Sequence, residues 1–511
     1  MQRRAIAAGL FAAVGLWLVP AGIGLAPAGA AAPSGSSQSS GPNLPTWWAK
    51  YQSLLHQTSN PTPARTTPTL KAGANVDVSN EVGPQSETSI TVDPNNSRLL
   101  VAGSNEIFRL PMRGYFSSDG GNSWGAVDLP LPPAATTNGT DFGSDPGVAF
   151  DTQGNVYYGY IVVFFNRIFR SIQGTEVAVA KSFDHGATWP QVTFFNFNSG
   201  SGKFNDKPMI AVDTNPSSPH RDSVYVAWDN VSLNAGQSST NDVLLFARST
   251  NGGRTFSTAA PISPTTGGPN AVIGADPYVG SNGEVYVAWH DVERNQLVTA
   301  SSFNGGAGFG SPVVISPTLV AFDDAIPAMA SRRALLYPAC DTDRSGGAFR
   351  GTLYCSWMDE TSSNGTDIFV SRSSNRGVSW STPERVNDDP AGVRKDQFNQ
   401  WLSVDPVTGA VDLSWNDARN DSNDTKTDVY ATGSTPGGAS FAANVKVTTA
   451  QTDESLANPC ADAGNQYGDY EGIVAFGGGF HPLWTDGRLN CTIDRSTGQR
   501  VDEEVFTARV S

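Results

Sequence analysis

The sequence predicts an all-β protein, a seven-bladed β-propeller of four-stranded antiparallel blades whose ring is closed by an N-terminal strand. Three observations predict it. A turn of the form Ser-x-Asp-x-Gly-x-Thr-Trp, clearest at Ser182 to Trp189, recurs six times along the chain. Short apolar strand patterns fall in sets of four around these turns, which is how a radial array of small sheets is written. The last set lacks a fourth strand, and a matching segment stands at the other end of the repeats. Six blades is the runner-up count.

Each turn is a hairpin with its own physics. Asp or Asn accepts from the amides that follow it, Gly supplies a positive φ, and the Ser or Thr hydroxyl ties the loop. The closing aromatic starts the next strand and is large enough to wedge between units. The other copies run through Ser117 to Trp124, Asn251 to Phe256, Asn304 to Gly306, Asn375 to Trp380 and Pro436 to Phe441.

From the N-terminus, Arg3-Arg4, the apolar run Ala5 to Leu25 and the small residues Ala28 to Ala32 read as an export signal over residues 1–32. A retained membrane anchor is the alternative reading. Residues 33–70 are rich in Pro, Ser and Thr, the composition of a linker, with a short amphipathic helix at Trp47 to Leu55. The propeller occupies 71–511. Its first strands are expected at Ser89–Asp93, Gly147–Asp151, Ile210–Asp213, Tyr278–Gly280, Ala328–Ala330, Leu402–Asp405 and Ile473–Phe476. Second strands follow each, several ending in Trp, as at Val224–Trp228 and Val411–Trp415. The seventh set ends with a third strand near Glu504, and Ala74 to Asn80 resembles the fourth strands at Ala443–Thr448 and Pro383–Asp388. The four cysteines suit an oxidising compartment and predict the local disulfides Cys340–Cys355 and Cys460–Cys491.

Hydrophobic residues make up 39% of the 511 positions, enough for a large core, while 48 acidic against 33 basic residues leave a net charge of −15. That balance argues against nucleic acid and against anionic membranes as partners. A secreted, extracellular monomer is expected.

The turns resemble the Asp-box, or BNR, repeats of the sialidase superfamily, over essentially residues 71–511. The resemblance implies a β-propeller and, for an enzyme, an arginine triad gripping a substrate carboxylate, a Tyr nucleophile assisted by Glu, and an Asp acid/base. Phe108-Arg109-Leu110-Pro111 looks like that family's arginine motif, which makes Arg109 a substrate-binding candidate, although it follows a second strand instead of opening a first one.

Two acidic sets mark one face of such a ring. Glu87, Asp145, Asp206, Asp276, Asp324, Asp396 and Asp469 each precede a first strand, so they converge near the axis, either around a ligand or as local acceptors for backbone amides. Asp229, Asp291, Asp359, Asp417 and Asp486 follow second strands. Two of these sit in Trp-x-Asp-x-Arg, which makes Arg419 and Arg488, with Asp417 and Asp486, candidates to hold a carboxylate or sulfate; an internal Asp–Arg pair is the competing reading. Asp469, Tyr470 and Glu471 combine the residue types of an acid and a Tyr/Glu nucleophile pair, although neighbours on a strand point to opposite faces. The loop Asn416 to Asp428 gathers Asp417, Asp421, Asp424 and Asp428 among Asn residues, an oxygen-rich set of the kind that suits Ca²⁺ but without the glycine and terminal Glu of a calcium loop; a solvated loop is the competing reading, and no cofactor is expected. The functional expectation is a polar, Trp-bordered face that takes a glycan. It belongs either to a sialidase-like glycoside hydrolase acting on terminal sugars, sialic acid among them, or to a non-catalytic glycan- or protein-binding propeller.

Overall fold

Seven four-stranded antiparallel sheets follow one another around a ring, as a computed structural model of the chain describes it. The described residues run from 69 to 511, apart from 82, 108, 133–140, 167, 169–170, 200–201, 233–241, 265–270, 321, 362–364, 391, 462–463, 489–491, 494–499 and 502. The expected export signal, most of the linker and the helix at Trp47 to Leu55 lie outside them, as do Phe108 and Cys491.

The innermost strands are Gln85–Asp93, Phe142–Phe150, Lys203–Val212, Val272–Val279, Ala339–Thr342, Gln397–Val404 and Gly472–Phe476 in blades one to seven. The fifth corrects an expectation. Ala328 falls in a short 3-10 turn, Pro327–Met329, and the strand begins only at Ala339. The intervening residues form an insertion with its own ribbon, Asp323–Asp324 paired with Ala334–Leu335. The insertion, placed over the axis, carries residues of the site described below.

Second strands alternate residues between the two faces of each blade, and the expected tryptophans are core. Trp228, Trp289, Trp357, Trp415 and Trp484 are all essentially inaccessible to solvent, so they do not border a binding face. Their place also explains Trp-x-Asp: residues two apart share a face, and the indole N–H of Trp415 and of Trp484 donates to Asp417 and Asp486 at 2.8 and 2.6 Å.

The box turns connect third to fourth strands and bind each blade to the one before. The Ser182 hydroxyl accepts from the Gly186 amide at 2.8 Å and donates to Asp184 at 2.7 Å, while Asp184 takes the amide and hydroxyl of Thr188. Gly186 is required twice over. Its φ is +92°, and a Cβ there would lie 2.9 Å from a Val101 methyl of the preceding blade. In an antiparallel four-stranded blade the third-to-fourth turn and the start of the first strand lie at opposite ends. The boxes are therefore on the face away from the acidic residues.

Val76–Asp77 is the outer strand of blade seven, paired antiparallel with Glu504–Thr507 through Val76↔Thr507 and Asp77↔Phe506. The bridge Ala72↔Val510 and the hydrogen bonds between Lys71 and Ser511 extend the join. The disulfide Cys340–Cys355 links the first and second strands of blade five. Cys460 is also disulfide-bonded.

Removing the closing strand strips blade seven of an edge and uncovers buried Val78. Deletion of everything through Asn80 is expected to lower Tm by at least about 5 °C, read by circular dichroism. An unchanged Tm would show that the ring closes without it.

Candidate functional site

Five of the seven innermost strands carry a β-bulge near their start, and each bulge contains a residue with positive φ: Glu87 (+56°), Asp145 (+62°), Lys207 (+45°), Gly274 (+78°) and Asn399 (+49°). A bulge turns a side chain out of the alternating pattern. Left-handed backbone at non-glycine residues costs about 1–3 kcal/mol each and persists where packing over-determines it. Here it directs Glu87, Asp145 and Lys207 onto the axis, where they meet Asp206 from blade three and Asp469 and Tyr470 from the chain leading into blade seven.

These residues line a compact cavity of about 60 Å³ that opens to solvent at a mouth. One wall is apolar, built by Phe142, Ile161, Val163, Ile172 and Phe204. The sequence reason is the length of blade two's central hairpin. Its strands Val156–Asn166 and Ser171–Ser182 have 11 and 12 residues, against 7 each for Val285–Asp291 and Gln296–Ser302 in blade four.

The polar side is a connected network. Arg332, from the blade-five insertion, donates from Nε to Asp469 at 2.8 Å and from Nη2 to Glu87 at 2.7 Å. Its Nη1 reaches the Gly464 carbonyl at 3.3 Å and its backbone amide donates to Gln466. Asn105 bridges blades one and two: its side-chain N–H groups contact Glu87 and Asp145, and its oxygen accepts from the Asp145 amide at 2.7 Å and from Ser144. Glu87 lies beside Asp469 and Asp206 beside Asp145, and with burial the neighbouring carboxyl raises the proton affinity of Glu87 and of Asp206. The Lys207 ammonium closes the floor, 4.7, 5.3 and 4.8 Å from the ring centres of Tyr337, Trp401 and Tyr470. Neither this ammonium nor the buried Tyr470 hydroxyl has a hydrogen-bond partner. Below the floor a separate channel of mixed lining, with Met209, Trp401 and Ile473 beside Asp341, Arg344 and Arg350, shares no lining residue with the cavity.

Of the residues singled out in the sequence, Asp469 and Tyr470 are in the cavity together with Glu87, Asp145 and Asp206. Glu471 is not. It lies just ahead of the strand Gly472–Phe476, and its carboxylate accepts from the Thr88 hydroxyl at 3.0 Å and the Thr485 amide at 3.0 Å. Arg419 and Arg488 also lie elsewhere. Arg419 is held by Asp417, Asp388 and Asn444 and lies over the Tyr430 ring. Arg488 is held by Asp486, Thr449 and Asn75 and lies over Phe506. Arg109 is paired with Glu81 and Asp128 on blade one. The two Asp–Arg motifs are thus joints between blades. Asp229 and Asp359 do similar work, accepting backbone amides at Gly274 and Ala275 and at Leu319 and Val320. In the loop Asn416 to Asp428, Asp421 accepts from Thr425 and Lys426 while Asp428 accepts from Thr448, so these oxygens do not converge. Among the described residues no cluster of His, Cys, Asp and Glu has metal-site geometry. Sequence reasoning missed Arg332, Tyr337, Asn105 and Lys207. The one available signal was the overlong interval between the fourth blade's last strand, Val313–Pro317, and Leu353.

Seven four-stranded antiparallel blades define a β-propeller. Solved structures similar to the chain include the phage phi92 endosialidase, at 11% identity over 86% of this chain and 69% of that one with a TM-score of 0.48. An α-L-arabinofuranosidase from Fusarium graminearum gives 14% identity over 71% and 98% with a TM-score of 0.46, and a Hadza microbial sialidase 13% over 80% and 73% with 0.41. No protein-family model matches the sequence, and no curated protein sequence matches it.

Gathering carboxyls at an axis has a consequence for stability. Burial pushes Asp229 and Asp276 up to about 7 and Glu471 up to about 8. Burial, reinforced by Asp469 for Glu87 and by Asp145 for Asp206, raises those two well above the carboxylate range. An unfolded chain ionises all of them near their ordinary values. Above about pH 6.5 the folded state therefore binds more protons than the unfolded one, and stability falls as pH rises. The buried histidines oppose this only at lower pH: burial pushes His290 down to about 3 and His481 to about 4, so both are neutral in either state above about pH 6.5. Thermal melts should give a Tm several degrees lower at pH 8.5 than at pH 6.5, and Glu471→Gln should flatten that slope. A Tm that rises across the window would contradict the burial of protonated carboxyls.

Proposed function

We propose that the chain is a secreted glycoside hydrolase that removes terminal sugars from glycans in the axial cavity. The disulfide Cys340–Cys355 supports an oxidising compartment, and no helix among the described residues is long and apolar enough to cross a membrane. One observation carries the enzymatic reading: two pairs of neighbouring carboxyls, Glu87 with Asp469 and Asp145 with Asp206, share a cavity with an apolar wall. Carboxyls crowded together do not all ionise, so such a pair can hold an acid beside a base.

Glycosidic cleavage needs this combination. One carboxylic acid gives its proton to the leaving oxygen as the anomeric C–O bond breaks, and a carboxylate takes a proton from the water that attacks the anomeric carbon. Asp469 opens toward the mouth, its side chain 21% exposed, and is placed to reach the leaving oxygen. Asp206, half-buried on blade three, faces the cavity with Asp145. Tyr470 binds the sugar in this reading. Burial and the surrounding carboxylates Glu87, Asp145, Asp469 and Asp206 raise its hydroxyl well above the ordinary range, the reverse of what an activated phenolate nucleophile requires.

Asp469→Asn and Asp206→Asn are each expected to lower kcat by about 10²–10⁴-fold, measured by release from a panel of fluorogenic aryl glycosides, with the circular dichroism spectrum unchanged. Activity should also fall on the alkaline side as the Glu87–Asp469 pair loses the proton that the leaving oxygen needs. Arg488→Ala should keep full turnover and lower Tm, because Arg488 ties blade seven to the closing strand at Asn75. No release from any glycoside of the panel at any pH, with glycans still bound, would identify the non-catalytic binder instead.

A further inference from the structure

We infer that the sugar this cavity accepts is uncharged: a neutral terminal glycosyl residue fits, and sugar acids, sialosides and uronides alike, are rejected. This rests on the glycosidase reading for the location of the site, and it names the substrate class.

Recognition of a sugar carboxylate requires an uncommitted cation, best a guanidinium offering its planar fork. The cavity is lined by two cationic side chains, Arg332 and Lys207, and the protein uses both itself. Arg332 gives one edge to Asp469 and the other to Glu87, and its remaining nitrogen to the Gly464 carbonyl. The two carboxyls stand where a substrate carboxylate would have to sit, and the guanidinium side chain is only 10% exposed. Lys207 is 3% exposed and looks into the rings of Tyr337, Trp401 and Tyr470. The charge of Lys207 is already answered by the carboxyls around it, Asp229, Asp276, Asp145 and Glu87, and its ammonium lies against three ring faces. An incoming carboxylate would be stripped of water beside Glu87, Asp145, Asp206 and Asp469 with nothing to replace its hydration.

A neutral ring meets the opposite conditions. Its hydroxyls donate to those carboxyls, and its C–H face packs on Phe142 and Phe204. The Tyr470 hydroxyl, 2% exposed and without a partner, is left for one ring oxygen. A buried polar group without a partner carries a penalty that a ligand hydroxyl removes.

The test uses the full chain in two measurements. The first compares turnover of neutral aryl glycosides, an arabinofuranoside, a galactoside and a glucoside, with that of an aryl sialoside and an aryl glucuronide. The second compares, by saturation-transfer NMR, binding of the corresponding methyl glycosides with binding of N-acetylneuraminic acid and glucuronic acid. Turnover or binding confined to neutral sugars, by at least about tenfold, is the expected result. A sialoside or uronide handled as well as the neutral sugars overturns the inference while the glycosidase reading survives. Neutral sugars bound selectively without turnover uphold the inference and sink that reading, and no binding by sugars of either kind overturns both. The double variant Glu87→Gln/Asp469→Asn, which removes the charges opposite Arg332, should gain about tenfold in affinity for N-acetylneuraminic acid. A folded variant with no gain would show that Arg332 was not the blocked grip.

Discussion

The constraint on which everything else depends is ring closure. Each blade buries its faces against two neighbours, so a seven-bladed array is complete only when the last sheet has its outer strand. Val76–Asp77 provides it, some 430 residues upstream of its partner Glu504–Thr507. The join is secured in the same way as an ordinary inter-blade joint. Arg419 of blade six reaches Asn444, and Arg488 of blade seven reaches Asn75, the residue in the matching place on the closing strand. Asn444 and Asn75 in turn donate to the carbonyls of Val386 and Val447 on the neighbouring blades. Closure also assembles the site. Glu87 comes from the first blade and Asp469 from the start of the last, and they meet only because the ring returns on itself.

Convergence of seven innermost strands leaves little room at the axis for apolar side chains, and bulges let the chain place short polar ones there. The local backbone cost at Glu87, Asp145 and Lys207 is tolerated because each is fixed from several sides: Glu87 by Arg332 and Asn105, Asp145 by Ser144, Asn105 and the Lys207 amide, and Lys207 by three rings. Strain gathered at one point of an otherwise regular scaffold is where function is usually found.

The scaffold was legible because it repeats. Box turns, strand sets, the closing segment and the disulfide in blade five all follow from a pattern that the chain states several times. The same repetition misled the search for the site. Arg419 and Arg488 stood out because their motif occurs twice, and a feature that recurs from blade to blade serves the joint between blades. Asp469 and Tyr470, just ahead of a first strand, line the axial cavity, whereas their neighbour Glu471 turns to Thr88 and Thr485, a difference that residue types alone do not encode. Arg332 has no counterpart in other blades, and its approach to the axis depends on the path of an insertion that periodicity does not encode. Lys207 was read as part of a strand because nothing local indicates a bulge at Asp206 to Met209.

The closed floor sets the geometry of recognition. Lys207, Tyr337, Trp401 and Tyr470 separate the cavity from the second channel along the axis. A pore through the axis would let a polymer thread, whereas a blind cavity admits only what can enter end-on. The overhanging hairpin of blade two covers one side of the mouth with Ile161 and Val163, while Asp469 leaves the opposite side polar and partly open. Under the glycosidase reading proposed above, a glycan presents one terminal ring to this cavity and keeps the rest of its chain outside, with the bond joining them beside Asp469, whose side chain is 21% exposed.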